Sequence, residues 1–372
     1  MQLDGATATD TRFARVPRWA AWLALAAAIA VVLIASIQPP SPQTAAARSR
    51  AENFSDIRLY QTIVRQVQGG ADYYATAAAQ QRAHHYPTWP PQVIREPTEA
   101  WLLARLGADG VRWAALIALA ALTLEVLRRA LAHTDLSPRT RLWALVLGAT
   151  GLASACTPSA AYMHEVWAGI LILLSLALRR ADRWVLSIGA GVLACFFREI
   201  ALPYLCVMAA CALWERRYAE TAGWSAAIAL FGAVFALHLG LAGAQHRPGD
   251  LSSPGWLSLG GLSFLIATAR NNALFVLAPT WVVAAGLAGS ALGYVGCHDR
   301  WVGRCGLTLL AYMALFAVVG RPDNDYWGLL YAPLPALGLA LAPAALRDLL
   351  ARAMGTPAGA NASWQALTSR GS

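Results

Sequence analysis

Long apolar blocks alternate with short arginine clusters along most of the chain, starting with "WAAWLALAAAIAVVLIASI" at residues 19–37. Several blocks approach the roughly 20 residues that a helix needs to cross a bilayer, and none has the two-residue alternation of a membrane barrel. The pattern predicts an all-α polytopic membrane protein with about 10 transmembrane helices. They fall near residues 19–37, 111–127, 141–156, 162–178, two short helices within 184–214, then 224–241, 273–294, 302–319 and 327–346. Residues 1–354 read as a single transmembrane domain that includes a first extracytoplasmic loop at 39–109. Residues 355–372, small and polar, read as a disordered cytoplasmic tail. The apolar core of the first block is too long for a cleaved secretory signal, so it is taken as an uncleaved helix.

Residues 184–214 hold "FFREIALPYL", an Arg–Glu pair inside an apolar run. One continuous helix there would be about 46 Å long at 1.5 Å per residue, against an apolar core of about 30 Å. Arginine placement decides between one helix and two. With a hairpin, Arg216, Arg217, Arg300, Arg304, Arg347, Arg352 and Arg370 fall on the same side as Arg12, Arg15 and Arg18. With one helix, all seven cross to the other side. The positive-inside rule therefore selects the hairpin, with Arg198 and Glu199 at its outer tip, partly buried and near water, and both chain termini cytoplasmic. Pro203 suits a broken backbone at that point.

The chain has 372 residues, a formal charge of +9, and no lysine among its 29 basic residues. This composition is expected of a GC-rich bacterium and a location in the cytoplasmic (inner) membrane. Because the arginines sit at helix ends, topology accounts for them and no nucleic-acid partner is expected. The six cysteines form no CxxC pair, so neither a disulfide framework nor a zinc site is expected. His84 and His85 are adjacent, point apart on a helix and lack a third ligand, so no metal or other cofactor is expected.

The non-arginine polar residues gather on the outer side of this threading. They are Asp56, Asp72, His84, His85, Glu96 and Glu99 in the first loop, then His164, Glu165, Glu199, His246, Asp250, Asn271, Asn272, Asp323, Asn324 and Asp325. The loop itself is structured. "SDIRLYQTIVRQVQGG" places Ile57, Tyr60, Ile63, Val64 and Val67 on one helical face, with Ser55 or Asp56 as the cap. That predicts an amphipathic helix lying on the membrane surface.

The Asp–x3–Tyr spacing, the "GGADYY" break and the "YPTWPP" stretch resemble the first outer loop of GT-C superfamily glycosyltransferases. They are most similar to the bacterial polyprenyl-phosphate-sugar-dependent enzymes, membrane mannosyltransferases included. "RPDNDYWGLLYAPLPALG" resembles a later outer loop and helix of such proteins. Many members carry an adjacent acidic pair in the first loop, whereas here Ile57 follows Asp56. The resemblance implies an inverting transfer of a sugar from a polyprenyl-phosphate donor to a lipid or glycan acceptor hydroxyl, outside the cytoplasmic membrane. Membrane lipids are the other expected partners.

Such a reaction needs a carboxylate to accept the hydroxyl proton and cations to hold the departing phosphate. By resemblance Asp56 occupies the catalytic position, with Asp72 as the second candidate; either is also suited to capping a helix. Arg198, Arg270 and Arg321 are candidate phosphate ligands. Arg198 is equally suited to pairing with Glu199, and the other two to interfacial snorkelling. His164, Glu165 and Glu199 are candidate sugar or proton-transfer residues. Tyr60 is a further candidate substrate contact; Tyr73, Tyr74, Trp89 and Trp327 are candidate stacking surfaces, and interfacial aromatics also serve as anchors. A transporter or flippase of lipid-linked sugars is the alternative. It would show mid-membrane charges and broken helices in two matched halves. A ligase with a late outer loop and a non-catalytic scaffold rank lower.

Overall fold

The computed structural model describes residues 10–37 and 55–355. Residues 356–372 of the tail expected at 355–372, and residues 39–54 of the first loop expected at 39–109, lie outside the described residues. Every regular element described is helical. Helix α1 is Arg18–Ile37. The first loop contributes α2 (Asp56–Gln68), α3 (Tyr73–Ala83) and α4 (Thr98–Leu106). Then follow α5 (Asp109–Ala132), α6 (Pro138–Thr150), α7 (His164–Leu178), α8 (Val185–Phe197) and α9 (Leu202–Trp214). The remainder is α10 (Tyr218–Gly243), α11 (Gly261–Ala269), α12 (Thr280–Gly296), α13 (Arg300–Val318), α14 (Pro333–Leu339) and α15 (Ala342–Met354).

Among the described residues, four helices are long and apolar enough to cross a membrane: α1, α5, α10 and α13. The pair α14 and α15, bent by 50°, makes a fifth if it is one span. Helices α7, α8, α9 and α12 are apolar but shorter. Leucines and tryptophans cover much of the exterior: Leu23 on α1 is 60% exposed and Leu237 on α10 is 64% exposed. A bundle presents such a surface to lipid, whereas a soluble domain rarely carries contiguous apolar patches of this extent.

The expected hairpin is present. Helix α8 ends at Phe197, Arg198 is extended (φ −155°, ψ 113°), a 3-10 turn covers Glu199–Ala201, and α9 begins with Pro203 in its first turn. A proline in the first turn forfeits no helical hydrogen bond, so it starts a helix well. One expectation about this hairpin is corrected. Arg198 is 0% exposed, not at a half-wet tip, because the loop helices and the segment Pro322–Leu330 close over it.

Other boundaries also differ. Residues 273–279 are turns, and α12 starts only after Pro279. The helix expected at 327–346 is broken into the 3-10 segment Pro322–Leu330, α14 and α15, because three prolines interrupt it. Helix α11 was not expected at all. The 3-10 segment packs unusually close to its neighbours. A Cβ on Gly169 of α7 would stand 2.1 Å from the Leu329 carbonyl oxygen, and one on Gly328 would stand 2.0 Å from that of Thr268. Only glycine permits these approaches, and they hold the segment against α7 and α11.

The helix ends sort onto two faces. At the termini end, Arg18 Nε donates to Ala353 O (2.8 Å) and Arg352 Nε to Val16 O (3.0 Å). A buried ion network lies at the same end. Glu220 accepts from Arg179 (2.9 Å), Arg217 (2.6 Å) and Arg304 (3.1 Å), while Glu215 accepts from Arg304 (3.0 Å) and Arg179 (3.2 Å). It joins α7, α9, α10 and α13. Polar chemistry is therefore not confined to the loop end, as the sequence pattern had implied.

Candidate functional site

The candidate site lies at the loop end, where α2, the segment leading into α4, the start of α7, the α8–α9 break and the segment Pro322–Leu330 converge. Helix α2 begins with Ser55 as its cap, its hydroxyl accepting from Arg58 N at 3.5 Å. Leu59, Ile63 and Val64 face inward. This apolar stripe orients the helix, places Tyr60 over the start of α7, and leaves Asp56 exposed at the rim. The rings of Tyr60 and His164 meet edge-on with centroids 4.8 Å apart.

Arg198 occupies the centre. Its Nε donates to Glu165 Oε1 at 2.5 Å, and its Nη1 to Glu199 Oε1. Its guanidinium lies over the Trp327 ring, 6.0 Å from the centroid. Glu199 also faces Arg95, whose Nη1 is 3.8 Å away. Arg95 and Glu199 are only partly buried, so the cluster opens to the exterior beside them. Arg95 is positioned through its backbone: the Tyr73 hydroxyl donates to Arg95 O at 2.7 Å, and His238 Nε2 lies 3.0 Å from Ile94 O.

Two carboxyls from the loop reach the same cluster. Glu99 Oε2 is 3.0 Å from His164 Nδ1, with both side chains buried. Burial, and then the charge of Glu165, hold Glu99 well above the usual carboxylate range. A protonated Glu99 donating to a neutral imidazole satisfies both groups without a buried charge. Burial and then Glu199 raise Glu96 in the same way, against the pull of Arg198 and Arg95. Burial likewise pushes the Tyr60 phenol up, with Arg95 opposing and Asp56 reinforcing the rise.

Several buried polar atoms here have no partner: Arg198 Nη2, Glu96 Oε1, Glu99 Oε1, Trp327 Nε1 and Asn324 Nδ2. Each costs about 1–3 kcal/mol when left unsatisfied, so such a set is characteristic of a place that receives water or a ligand. Two guanidinia in a low-dielectric site, one with a spare donor, suit an anionic group such as phosphate.

Of the residues expected from sequence, Tyr60, His164, Glu165, Arg198, Glu199 and Trp327 come together, and Asp56 stands at their rim. The others do not join them. Asp72 is the cap of α3, its Oδ1 accepting from Ala75 N at 2.8 Å. The Tyr74 hydroxyl is 3.2 Å from His238 Nδ1 and serves the packing of α3 on α10. Arg270 Nη2 donates to Ala278 O at 3.1 Å, closing the turn before α12. Arg321 binds Asp323 and donates to Pro254 O at 3.2 Å, tying two loops together.

Arg95 and the roles of Glu96 and Glu99 were not foreseen. "IREPTEA" carried the available signal: three charged residues in a proline-bounded loop segment next to an apolar helix. No protein-family model, curated protein or solved structure matches this chain.

Proposed function

We propose that this chain is a multi-pass enzyme of a bacterial cytoplasmic membrane that moves a sugar from a polyprenyl-phosphate donor to an acceptor hydroxyl, with inversion, at the loop end. On this reading the short apolar helices complete a span count of about ten, the loop end is extracytoplasmic, and both termini are cytoplasmic. The acceptor oxygen forms the new bond to the anomeric carbon as the bond to the phosphate oxygen breaks. The lipid phosphate leaves with the electron pair, and the acceptor proton passes to Asp56. The unpaired Nη2 of Arg198, with Arg95 at the open side, receives the phosphate. Glu165 and Trp327 hold Arg198 in place.

One observation carries this reading. Asp56 opens the helix whose Tyr60 meets the His164 ring edge-on, and the adjacent Glu165 holds Arg198 with its Nη2 unpaired, so a rim carboxylate and a guanidinium with a spare donor belong to one cluster. A proton acceptor and a phosphate-binding pair are the two parts that glycosyl transfer requires. The test is transfer by the full chain in proteoliposomes, with radiolabelled polyprenyl-phosphate hexoses as donors and a bacterial envelope extract as acceptor. Label moving to the acceptor fraction, with polyprenyl phosphate released, supports it. Intact donor under all conditions overturns it.

The break at Arg198 and the 50° bend between α14 and α15 support a transporter as the second reading, since discontinuous helices are how transporters build midplane sites. Movement of unaltered lipid-linked sugar across the bilayer would distinguish it.

A further inference from the structure

A second site lies at the termini end, far from the cluster described above and independent of the transferase reading. Helices α9, α12 and α13 enclose a cavity of about 1100 Å³. Its lining is divided by chemistry. Leu307, Leu310 and Val207 form an apolar wall, and Leu307 is 52% exposed, so this wall is continuous with the surface that faces lipid. Arg12, Arg216, His298 and Arg300 line the other end.

The fold holds these cations deliberately. Arg216 follows Glu215, the C-cap of α9, and lies in the left-handed region (φ 56°), where its amide donates to Leu213 O at 2.9 Å. Arg300 opens α13, which Asp299 caps by accepting from Val302 N at 3.0 Å. Glu215 also lines the cavity, but its oxygens are taken by Arg304 and Arg179. The ion network of this end thus uses Arg179, Arg217 and Arg304, and among the described residues no ion pair engages Arg216 or Arg300. A rim of cations, two of them in no ion pair, above an open apolar slot has the charge and polarity order of an anionic lipid, phosphate outward and acyl chains inward.

We propose that this cavity binds an anionic phospholipid of the leaflet at the termini end, with its phosphate on Arg12, Arg216 and Arg300 and an acyl chain along Leu307 and Leu310. Cationic side chains near a membrane surface each contribute about fivefold to such binding, so removing two lowers it about thirtyfold. The probe is phosphatidylglycerol against phosphatidylcholine, mixed equally in nanodiscs holding the full chain, with lipid retained on the protein counted by native mass spectrometry after detergent extraction.

The proposal expects preferential retention of phosphatidylglycerol, loss of that preference in Arg216→Gln/Arg300→Gln, and no loss in Arg247→Gln at the loop end. Leu310→Trp, which fills the slot and keeps every charge, is expected to reduce retention as well, and it serves as the second variant if the double one does not fold. Equal retention of the two lipids, or a preference unchanged in both the double variant and Leu310→Trp, overturns the proposal. Loss of the preference in the double variant with full retention in Leu310→Trp also overturns it, because the apolar slot would then play no part.

Discussion

Arg198 and Glu165 hold each other at 2.5 Å across 33 positions of sequence, in a place where Arg198 has no exposed surface. The contact joins the start of α7 to the break between α8 and α9, and with the second bond from Arg198 to Glu199 it fixes the geometry at the centre of the cluster. A buried pair adds little over two apolar residues, but losing one partner strands the other charge. Arg198→Ala should therefore lower stability by roughly 3–5 kcal/mol. Arg198→Met combined with Glu165→Met should recover a large part of that loss. The unfolding midpoint in detergent measures both. An unchanged midpoint in Arg198→Ala would mean that the guanidinium is not buried in the folded protein.

Asp56 and Asp72 can be separated by what each substitution costs. Asp56 is exposed and caps nothing, so Asp56→Asn should leave the unfolding midpoint in place and reduce sugar transfer by about 10²- to 10⁴-fold, the usual contribution of a general base. Asp72→Ala should do the reverse. It removes the α3 cap at a cost of about 1 kcal/mol and leaves transfer nearly unchanged. Full transfer by Asp56→Asn would remove it from the mechanism.

The pH dependence follows from the loop carboxyls. Glu99 has its folded pKa raised by burial, so its contribution to stability is present below its unfolded pKa, near 4.3, and is lost as pH climbs toward the folded value. Glu99→Gln keeps a donor for His164 and has no charge to bury. The variant should gain on the natural protein as pH rises from about 5 to about 9, and lose that gain at the acid end. Thermal unfolding across this range reads the difference directly. A constant difference between the two proteins would show that Glu99 keeps its ordinary acidity.

Much of this arrangement was legible in the sequence, for identifiable reasons. The α8–α9 hairpin follows from arginine placement, because charge sets topology whatever the packing. Helix α2 follows from its apolar stripe. Helix α11 was missed because its nine residues are too few to cross a bilayer and follow a stretch rich in Ser, Gly and Pro. The breaks in 322–354 carry a local signal in Pro333, Pro335 and Pro343, whereas the close seating of the 3-10 segment at Gly169 and Gly328 is a property of the partner elements and not of the local pattern. The Glu215–Glu220 network was missed for a similar reason. Two acids among many arginines read as ordinary loop charges until four helix ends bring them together.

The proposed orientation makes the two ends of the bundle differently accessible. Gln66 lies exposed on α2 at the loop end, and Arg139 lies exposed in the first turn of α6. Arg141 Nη2 donates to Thr134 O, and Arg180 Nη1 contacts His133 Nε2, so α6 starts at the end where Arg179 joins the ion network. In a background with the six cysteines replaced, among them the exposed Cys156 and Cys206, Gln66→Cys should react with a membrane-impermeant maleimide added to intact spheroplasts. Arg139→Cys should react only after permeabilisation or in inverted vesicles. The contrast depends on neither the sugar nor the acceptor. Labelling of both positions from the same side would contradict the spanning arrangement. A reversed pattern would keep the bundle but turn it over, which would place Asp56, Arg95 and Arg198 on the cytoplasmic side and exclude an extracytoplasmic transfer.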